Sequence, residues 1–207
     1  MTIKCLAFDL DGTLLLDESK RMDPRTVDSI QRAMAQGMHV VIASGRDKNG
    51  CKFVYEPLGL ENGNHFLALV NGQVVYDFEN KEYDLDDVLT AEDGIKIQKV
   101  CKQFGVEGIF QCGYDFYSYI SSLNRVKKKV KNAILGEPDD YGLKDGKENR
   151  NFIDLPFEEI RLTQDINKVI MVHSPRFFEK NFEGIKAALN DYDVLLIGPD
   201  WLEIMPK

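Results

Sequence analysis

The sequence predicts an α/β fold built on a parallel sheet, and three consecutive segments carry the prediction. An apolar run, Ile3 to Phe8, is followed by an amphipathic stretch bounded by Asp23 and Gly37, and then by a second apolar run, Met38 to Ala43. Apolar runs of that length read as strands buried on both faces. Strand, helix and strand joined by a short exit loop make a βαβ unit, which implies parallel strands and a right-handed crossover. Sheets of this kind bind ligands outside the carboxyl ends of their strands, so chemistry is expected just after Phe8 and just after Ala43.

The first strand ends in Asp9-Leu10-Asp11-Gly12-Thr13-Leu14-Leu15. Residues i and i+2 on an extended backbone point the same way, which brings the Asp9 and Asp11 carboxylates to one spot, and Gly12 lets the chain turn there. Paired carboxylates repel, so they call for a cation. The spacing suits a nucleophile at Asp9 and a proton shuttle at Asp11, with Mg²⁺ cancelling their charge and that of a phosphate. Asp-Gly after an apolar run is equally a hairpin signal. Leu14 to Met22 turns from apolar to polar and suits a small hairpin or flap beside the aspartates.

Asp23 then serves as an N-cap with Pro24 at the first helical position, Val27, Ile30 and Met34 form the apolar stripe, and Gly37 stops the helix. After the second strand, Ser44-Gly45-Arg46 offers a hydroxyl and a backbone N–H able to hold phosphate oxygens; Arg46 taken alone reads equally as half of a surface salt bridge. Phe66 to Val70 forms a third strand. Asn71-Gly72, between it and Gln73 to Phe78, reads as a type I′ turn, with an Asn71 contact to substrate as the lesser reading.

From about Leu85 the pattern changes to a helix bearing Ile95, Ile97, Val100, Cys101 and Phe104, then strands at Val106 to Gln111 and Phe116 to Ile120. The basic cluster Arg125, Lys127, Lys128, Lys129 and Lys131 is interrupted by Val126 and Val130 at helical spacing, and reads as the solvated face of a helix. Glu137 to Asn151 suits an exposed connection. Lys168 to His173 is a strand, Pro175 to Asn190 a helix, Asp193 to Ile197 a strand, and Trp201 to Lys207 closes the chain as another.

At 207 residues the chain suits one ample domain or two small ones. Its net charge of −8 argues against a nucleic-acid or anionic-membrane surface. No stretch has the apolar length a bilayer requires, and the first strand follows Met1 without a leader, so a cytoplasmic location is expected. Cys5, Cys51, Cys101 and Cys112 are scattered with no Cys-x-x-Cys pair, which indicates neither a disulfide framework nor a zinc site. His39, His65 and His173 read as structural.

The full string Asp9-Leu10-Asp11-Gly12-Thr13-Leu14 after an amino-terminal strand resembles motif I of the haloacid dehalogenase (HAD) superfamily, whose phosphatases pass through an aspartyl-phosphate. Ser44-Gly45-Arg46 resembles its motif II, and the arginine directly after glycine is typical of the Cof-type (class IIB) group, in which a large α/β cap follows motif II. The resemblance implies a HAD-like Rossmannoid parallel-sheet core over residues 1–84, an inserted α/β cap over 85–198 that covers the site and selects the leaving group, and a return strand toward the core over 199–207. It implies Asp9 as nucleophile and Asp11 as acid and base. Gly12, Ser44 and Gly45 would then lie on the phosphate, Arg46 and Asn71 on the substrate side, and Mg²⁺ would be held by Asp9 and the Asp11 carbonyl.

The lysine-bearing motif III and acidic motif IV of that family are not in the sequence, and Lys207 falls before the expected lysine. The core is therefore read as incomplete at the C-terminus, leaving apolar surface on Ile3 to Phe8 and Met38 to Ala43 to be covered by a partner chain, a symmetric dimer contact or a further segment. The expected activity is Mg²⁺-dependent hydrolysis of a small phosphate monoester such as a sugar phosphate. The alternatives are a sugar-phosphate mutase and a catalytically impaired binding or regulatory module. The expected partner is a small phosphorylated metabolite, with no nucleic acid and no membrane, and with self-association through the incomplete core.

Overall fold

The computed structural model describes residues 3–15, 21–85, 87–113, 115–136, 151–159 and 162–207. The chain divides into two compact units, Met1–Asp87 and Val88–Lys207.

The first unit contains β1 (Cys5–Asp9), α1 (Pro24–Ala35), β2 (His39–Ala43), α2 (Lys52–Leu58), β3 (Phe66–Leu69), β4 (Val74–Asp77) and β5 (Glu82–Leu85), in one sheet of order β1-β2-β3-β4-β5. The first three strands are parallel and the last two antiparallel. Helix α1 starts where the sequence places it: Asp23 Oδ1 accepts the Arg25 N–H at 2.8 Å and Pro24 opens the first turn. Its Val27, Ile30 and Met34 pack into a core with Leu10, Val40, Ile42, Val54 and Leu67.

Two readings need correction in this unit. Ile3 to Phe8 is not buried on both faces: β1 alternates between exposed and half-buried residues, and Ile3 is 66% exposed. Among the described residues β1 pairs only with β2, so it is an edge strand, and an edge strand has no neighbour to shield its outer side. Asn71-Gly72 forms a turn of the expected type I′ kind, with Asn71 at φ 60° and ψ 30°, Gly72 at φ 95° and the Gln73 N–H donating to Val70 O at 3.4 Å, but the hairpin loop around it is wider than two residues. Leu69 pairs with Val74, so four residues connect the strands, and Val70, Asn71 and Gly72 all have positive φ (50°, 60° and 95°). The wider turn arises because its backbone binds the loop after β2: the Val70 N–H donates to Arg46 O at 3.1 Å and the Asn71 N–H to Ser44 O at 3.3 Å. The flap expected over Leu14 to Met22 falls largely on 16–20, outside the described residues; Leu14 and Leu15 are buried. Helix α2, preceded by a 3₁₀ turn over Asn49–Cys51, and strand β5 have no counterpart in the sequence reading.

The second unit contains α3 (Ala91–Phe104), β6 (Glu107–Cys112), β7 (Asp115–Ile120), α4 (Ser122–Leu135), β8 (Asn151–Pro156), β9 (Lys168–Val172), α5 (Pro175–Ala188), β10 (Asp193–Gly198) and β11 (Trp201–Met205), with sheet order β10-β11-β9-β6-β7-β8. Side chains alternate across a strand, so this sheet has two faces of different character. One carries Phe110, Tyr119, Val169, Met171, Leu202 and Ile204, which pack with Ile97 and Cys101 of α3 and Phe178 and Ile185 of α5. The other carries a small apolar cluster of Ile109, Phe116 and Ile170, alongside buried Glu107, Ser118, Lys168 and Glu203.

The division of 199–207 from this unit is also corrected. Trp201–Met205 lies inside the second sheet, antiparallel to both β10 and β9, because its alternating Leu202 and Ile204 complete the core under α3 and α5. The expected connection 137–150 lies outside the described residues, and Asn151 already begins β8. Helix α4 exists as read, with Lys127, Lys129 and Lys131 exposed as expected, but the valines and Lys128 are not where the reading puts them. Val126 and Val130 face outward while Lys128 turns in to Glu107, because a buried carboxylate under the helix needs a cation more than the valines need cover.

Candidate active site

The parallel register of β1 and β2 sets Asp9 opposite Ala43, so the loops that follow the two strands leave the sheet side by side. The first loop is closed by its own backbone. Leu14 N–H donates to Asp9 O at 3.4 Å, Leu15 N–H to Leu10 O at 2.9 Å, and Gly12 N–H to Leu15 O at 2.8 Å. Fully buried Leu10 anchors it from below. Gly12 takes φ 82°, where only glycine is at ease, and a Cβ there would meet no atom within 4 Å, so the requirement is conformational rather than steric. The carboxylate of Asp9 emerges at the strand end, with the Thr13 hydroxyl donating to its Oδ2 at 3.1 Å.

Asp11 is held differently. Arg46 clamps it with two bonds, Nε to Oδ2 at 3.1 Å and Nη2 to Oδ1 at 2.9 Å, while the side chains remain 32% and 60% exposed respectively. A planar guanidinium fork fits a carboxylate in this bidentate way and fixes its plane. Ser44 is buried beside this pair: its N–H donates to Ala68 O at 2.8 Å, its carbonyl accepts from Asn71, and its hydroxyl accepts the Arg46 N–H at 3.2 Å. Gly45 is exposed between them. The structure thus brings Asp9, Asp11, Gly12, Ser44, Gly45 and Arg46 into two adjacent loops and ties Asn71 to them through its backbone.

Three neighbours escaped the sequence reading. Asp47 is buried, and its Oδ1 accepts the Gly50 N–H at 2.7 Å, which shapes the turn beneath the second loop. Asp-x-x-Gly is a local capping pattern, so this residue was discoverable. Cys51 lies fully buried and hydrogen-bonded to Ser44; burial pushes its thiol up to about 12 against the opposing pull of that bond, so it stays protonated and supports the loop rather than reacting. Lys48 places its ammonium 3.5 Å from the Tyr76 ring centroid, with Phe78 and Tyr83 at 5.8 and 5.9 Å. Nothing local in the sequence announces an assembly drawn from two strands, the turn between them and the loop after β2.

Among the described residues no group of three or more His, Cys, Asp or Glu side chains converges on a point that would hold a metal. The available donors are the Asp9 carboxylate and the Asp11 main-chain carbonyl, since both Asp11 carboxylate oxygens are occupied by Arg46. A small set of hard oxygen donors, completed by water, suits Mg²⁺, which typically keeps several waters and takes one or two carboxylates. The residues present therefore fit that ion.

A family model described as haloacid dehalogenase-like hydrolase matches residues 6–207. A Streptococcus pyogenes serotype M6 protein that carries a provisional phosphatase name is 28% identical over 216 residues, covering 100% of this chain and 71% of its own length. The Bacillus subtilis 5-amino-6-(5-phospho-D-ribitylamino)uracil phosphatase is 39% identical over 75 residues, which cover 36% of this chain and 28% of that relative. Among solved structures, a haloacid dehalogenase-like hydrolase from Bacteroides thetaiotaomicron superposes with a TM-score of 0.74 at 20% identity, covering 100% of this chain and 72% of that one. A HAD subclass IIB sugar phosphatase superposes with a TM-score of 0.68 at 18% identity, covering 99% of this chain and 70% of that one. The structural likenesses show the fold, and the family model shows the family. The chain belongs to the haloacid dehalogenase-like hydrolases.

Proposed function

We propose that this haloacid dehalogenase-like hydrolase carries the phosphoryl-transfer site of a Mg²⁺-dependent phosphatase acting on a small phosphate monoester, with a sugar phosphate as the leading substrate class. The observation that carries the reading is the β1–β2 register, which sets the Asp9 carboxylate beside the Ser44-Gly45 loop with Asp11 clamped between them. The names of the relatives support the class: each that specifies a substrate specifies a phosphorylated small molecule.

In this reading an Asp9 carboxylate oxygen attacks phosphorus as the bond from phosphorus to the leaving oxygen breaks, and Asp11 delivers a proton to that oxygen. A water then attacks the aspartyl-phosphate and passes a proton to Asp11 as the Asp9–phosphorus bond breaks, returning the free carboxylate and releasing phosphate. Ser44 and the backbone N–H of Gly45 hold phosphoryl oxygens, and Gly12, its own N–H taken by Leu15 O, lies on the phosphate as the turn of the first loop. Arg46 keeps the Asp11 carboxyl in one plane, and substrate must exchange one of its two bonds to engage that group. Bound Mg²⁺ would offset the repulsion between Asp9 and the incoming phosphate. Asn71 would sit on the substrate side of the loop to which it is tied.

No helix among the described residues is long and apolar enough to cross a membrane, and small phosphate esters are cytoplasmic metabolites, so the cytoplasm is the proposed setting. The test is hydrolysis of p-nitrophenyl phosphate and a panel of hexose phosphates with and without Mg²⁺. Wild type should turn over only with Mg²⁺, and Asp9→Asn should lose about 10²-fold or more in rate while still binding phosphate. Undiminished turnover by Asp9→Asn would refute the nucleophile. Phosphate binding without turnover by wild type would replace the phosphatase with a binding module, and isomerised rather than hydrolysed sugar phosphate would replace it with a mutase.

A further inference from the structure

The amino ends of β2 and β3 are joined through two histidine rings. The His39 N–H donates to Lys4 O at 2.8 Å, toward β1, so by the alternation of the ladder Val40 turns its N–H toward β3. Extending the β2–β3 register one residue back sets Val40 opposite His65. A backbone rung there would send the Val40 N–H to the Asn64 carbonyl. Instead the Val40 N–H donates to His65 Nδ1 at 3.1 Å, and the Asn64 carbonyl lies 2.7 Å from His39 Nδ1. The His65 carbonyl is engaged on its other side, accepting the Phe78 N–H at 3.1 Å.

These contacts fix both tautomers. A carbonyl oxygen only accepts, so His39 carries hydrogen on Nδ1; a backbone N–H only donates, so His65 Nδ1 is bare and its hydrogen sits on Nε2. The two rings therefore respond differently to acid. His39 takes a proton on Nε2 and keeps its bond to Asn64. His65 has only Nδ1 to offer, and a hydrogen there meets the Val40 N–H donor to donor, so the rung is lost. The His65 ring is buried, and Gly63 passes close to it: a Cβ at that position would stand 3.0 Å from Nε2. Burial, with the His39 ring beside it, pushes the His65 imidazole below its ordinary value.

The charged groups on the surrounding elements are engaged elsewhere or exposed. Arg32 of α1 pairs with Asp28, Glu56 of α2 with Lys52, and the Asp77 carboxylate of β4 accepts the Glu79 and Asn80 N–H groups. Lys4 before β1 and Glu61 before β3 are exposed. His39 is the titratable neighbour that acts on the His65 ring.

We propose that His65 is an acid-released latch: neutral, it pins β2 to β3 at the base of the first sheet, and on taking a proton it lets the amino ends of these strands part. The same strands lead into the Ser44-Gly45-Arg46 loop and the Asn71 turn, so the latch acts on the elements that position the candidate site. A base held lower in the folded than in the unfolded chain contributes stability above its unfolded value of 6.5, and that contribution is lost as pH falls through the folded value.

The test follows the melting temperature of the 207-residue chain from pH 7.5 to pH 5, alone and as His65→Asn, whose amide oxygen can accept the Val40 N–H but takes no proton. Wild type should lose several degrees across the window. His65→Asn should lose distinctly less, and because both chains keep His39 and His173 the difference belongs to His65. A second readout needs no variant. Imidazole ¹⁵N spectra of wild type should show His65 with its hydrogen on Nε2 at pH 7.5, and the Val40 amide resonance should shift with the same midpoint as that ring, below 6.5. If His65→Asn does not fold, these two titrations decide alone. Parallel melting profiles of wild type and a folded His65→Asn overturn the latch. So does hydrogen on His65 Nδ1 at pH 7.5, or a Val40 amide that does not follow the ring.

Discussion

Single side chains decide most at the Asp11–Arg46 pair. The carboxylates were legible because two aspartates spaced i, i+2 at a strand end leave little geometric freedom. The clamp was not, because it joins residues 35 apart in the chain and depends on the register of β1 and β2. Lysine in place of Arg46 would supply charge without the fork. Arg46→Lys is therefore expected to lower kcat about tenfold with little change in Mg²⁺ dependence, since a single donor no longer fixes the carboxyl plane; an unchanged kcat would reduce the arginine to a surface pair. Gly12→Ala probes the backbone instead. With no atom within 4 Å of the added Cβ, the cost is that of one residue at φ 82°, about 1–2 kcal/mol, readable as a lower urea midpoint at unchanged slope.

Among the elements, α3 shows how a local signal fixes a boundary. The apolar pattern suggested a helix from about Leu85, but the helix waits for Thr90, whose hydroxyl accepts the Asp93 N–H at 3.2 Å while Asp93 Oδ2 accepts the Thr90 N–H at 3.0 Å. Thr90→Ala should cost about 1 kcal/mol, seen in thermal unfolding. Partial burial pushes the Asp93 carboxyl up, but the Thr90 and Tyr192 hydroxyls outweigh it and hold the group at about 2. A carboxylate depressed on folding contributes stability above its unfolded value of 3.8, and that contribution is lost as pH falls through about 2. Melting temperatures should drop over this window, and Asp93→Asn should flatten that part of the profile. An unaltered profile in Asp93→Asn would locate the acid sensitivity elsewhere. Helix α4 marks the limit of pattern reading: its spacing was visible, but which face turned inward depended on Glu107, a residue on another element.

At the scale of the whole molecule, the resemblance implied a core sheet and a separate α/β cap, but not that the last strand belongs inside the second sheet, since Leu202 and Ile204 would fill either core. Lys4 O accepts the His39 N–H at 2.8 Å, so by the alternation of a parallel ladder residues 4, 6 and 8 bond toward β2 while Cys5, Ala7 and Asp9 turn their backbone groups outward. Beside them a hollow of about 510 Å³ is lined by Leu6, Phe8, Thr26 and Ile30. Among the described residues no second strand pairs with this edge, and a sheet edge next to exposed apolar surface is a template for another strand. Two copies meeting along β1 would pair both edges at once, so the 207-residue chain is expected to associate at tens of micromolar. Ala7→Pro removes an outward N–H without touching the β1–β2 ladder, and Ala7→Lys adds charge to the same edge; both should shift sedimentation to the monomer. A wild-type chain that stays monomeric at 100 μM would show that this edge is shielded in solution.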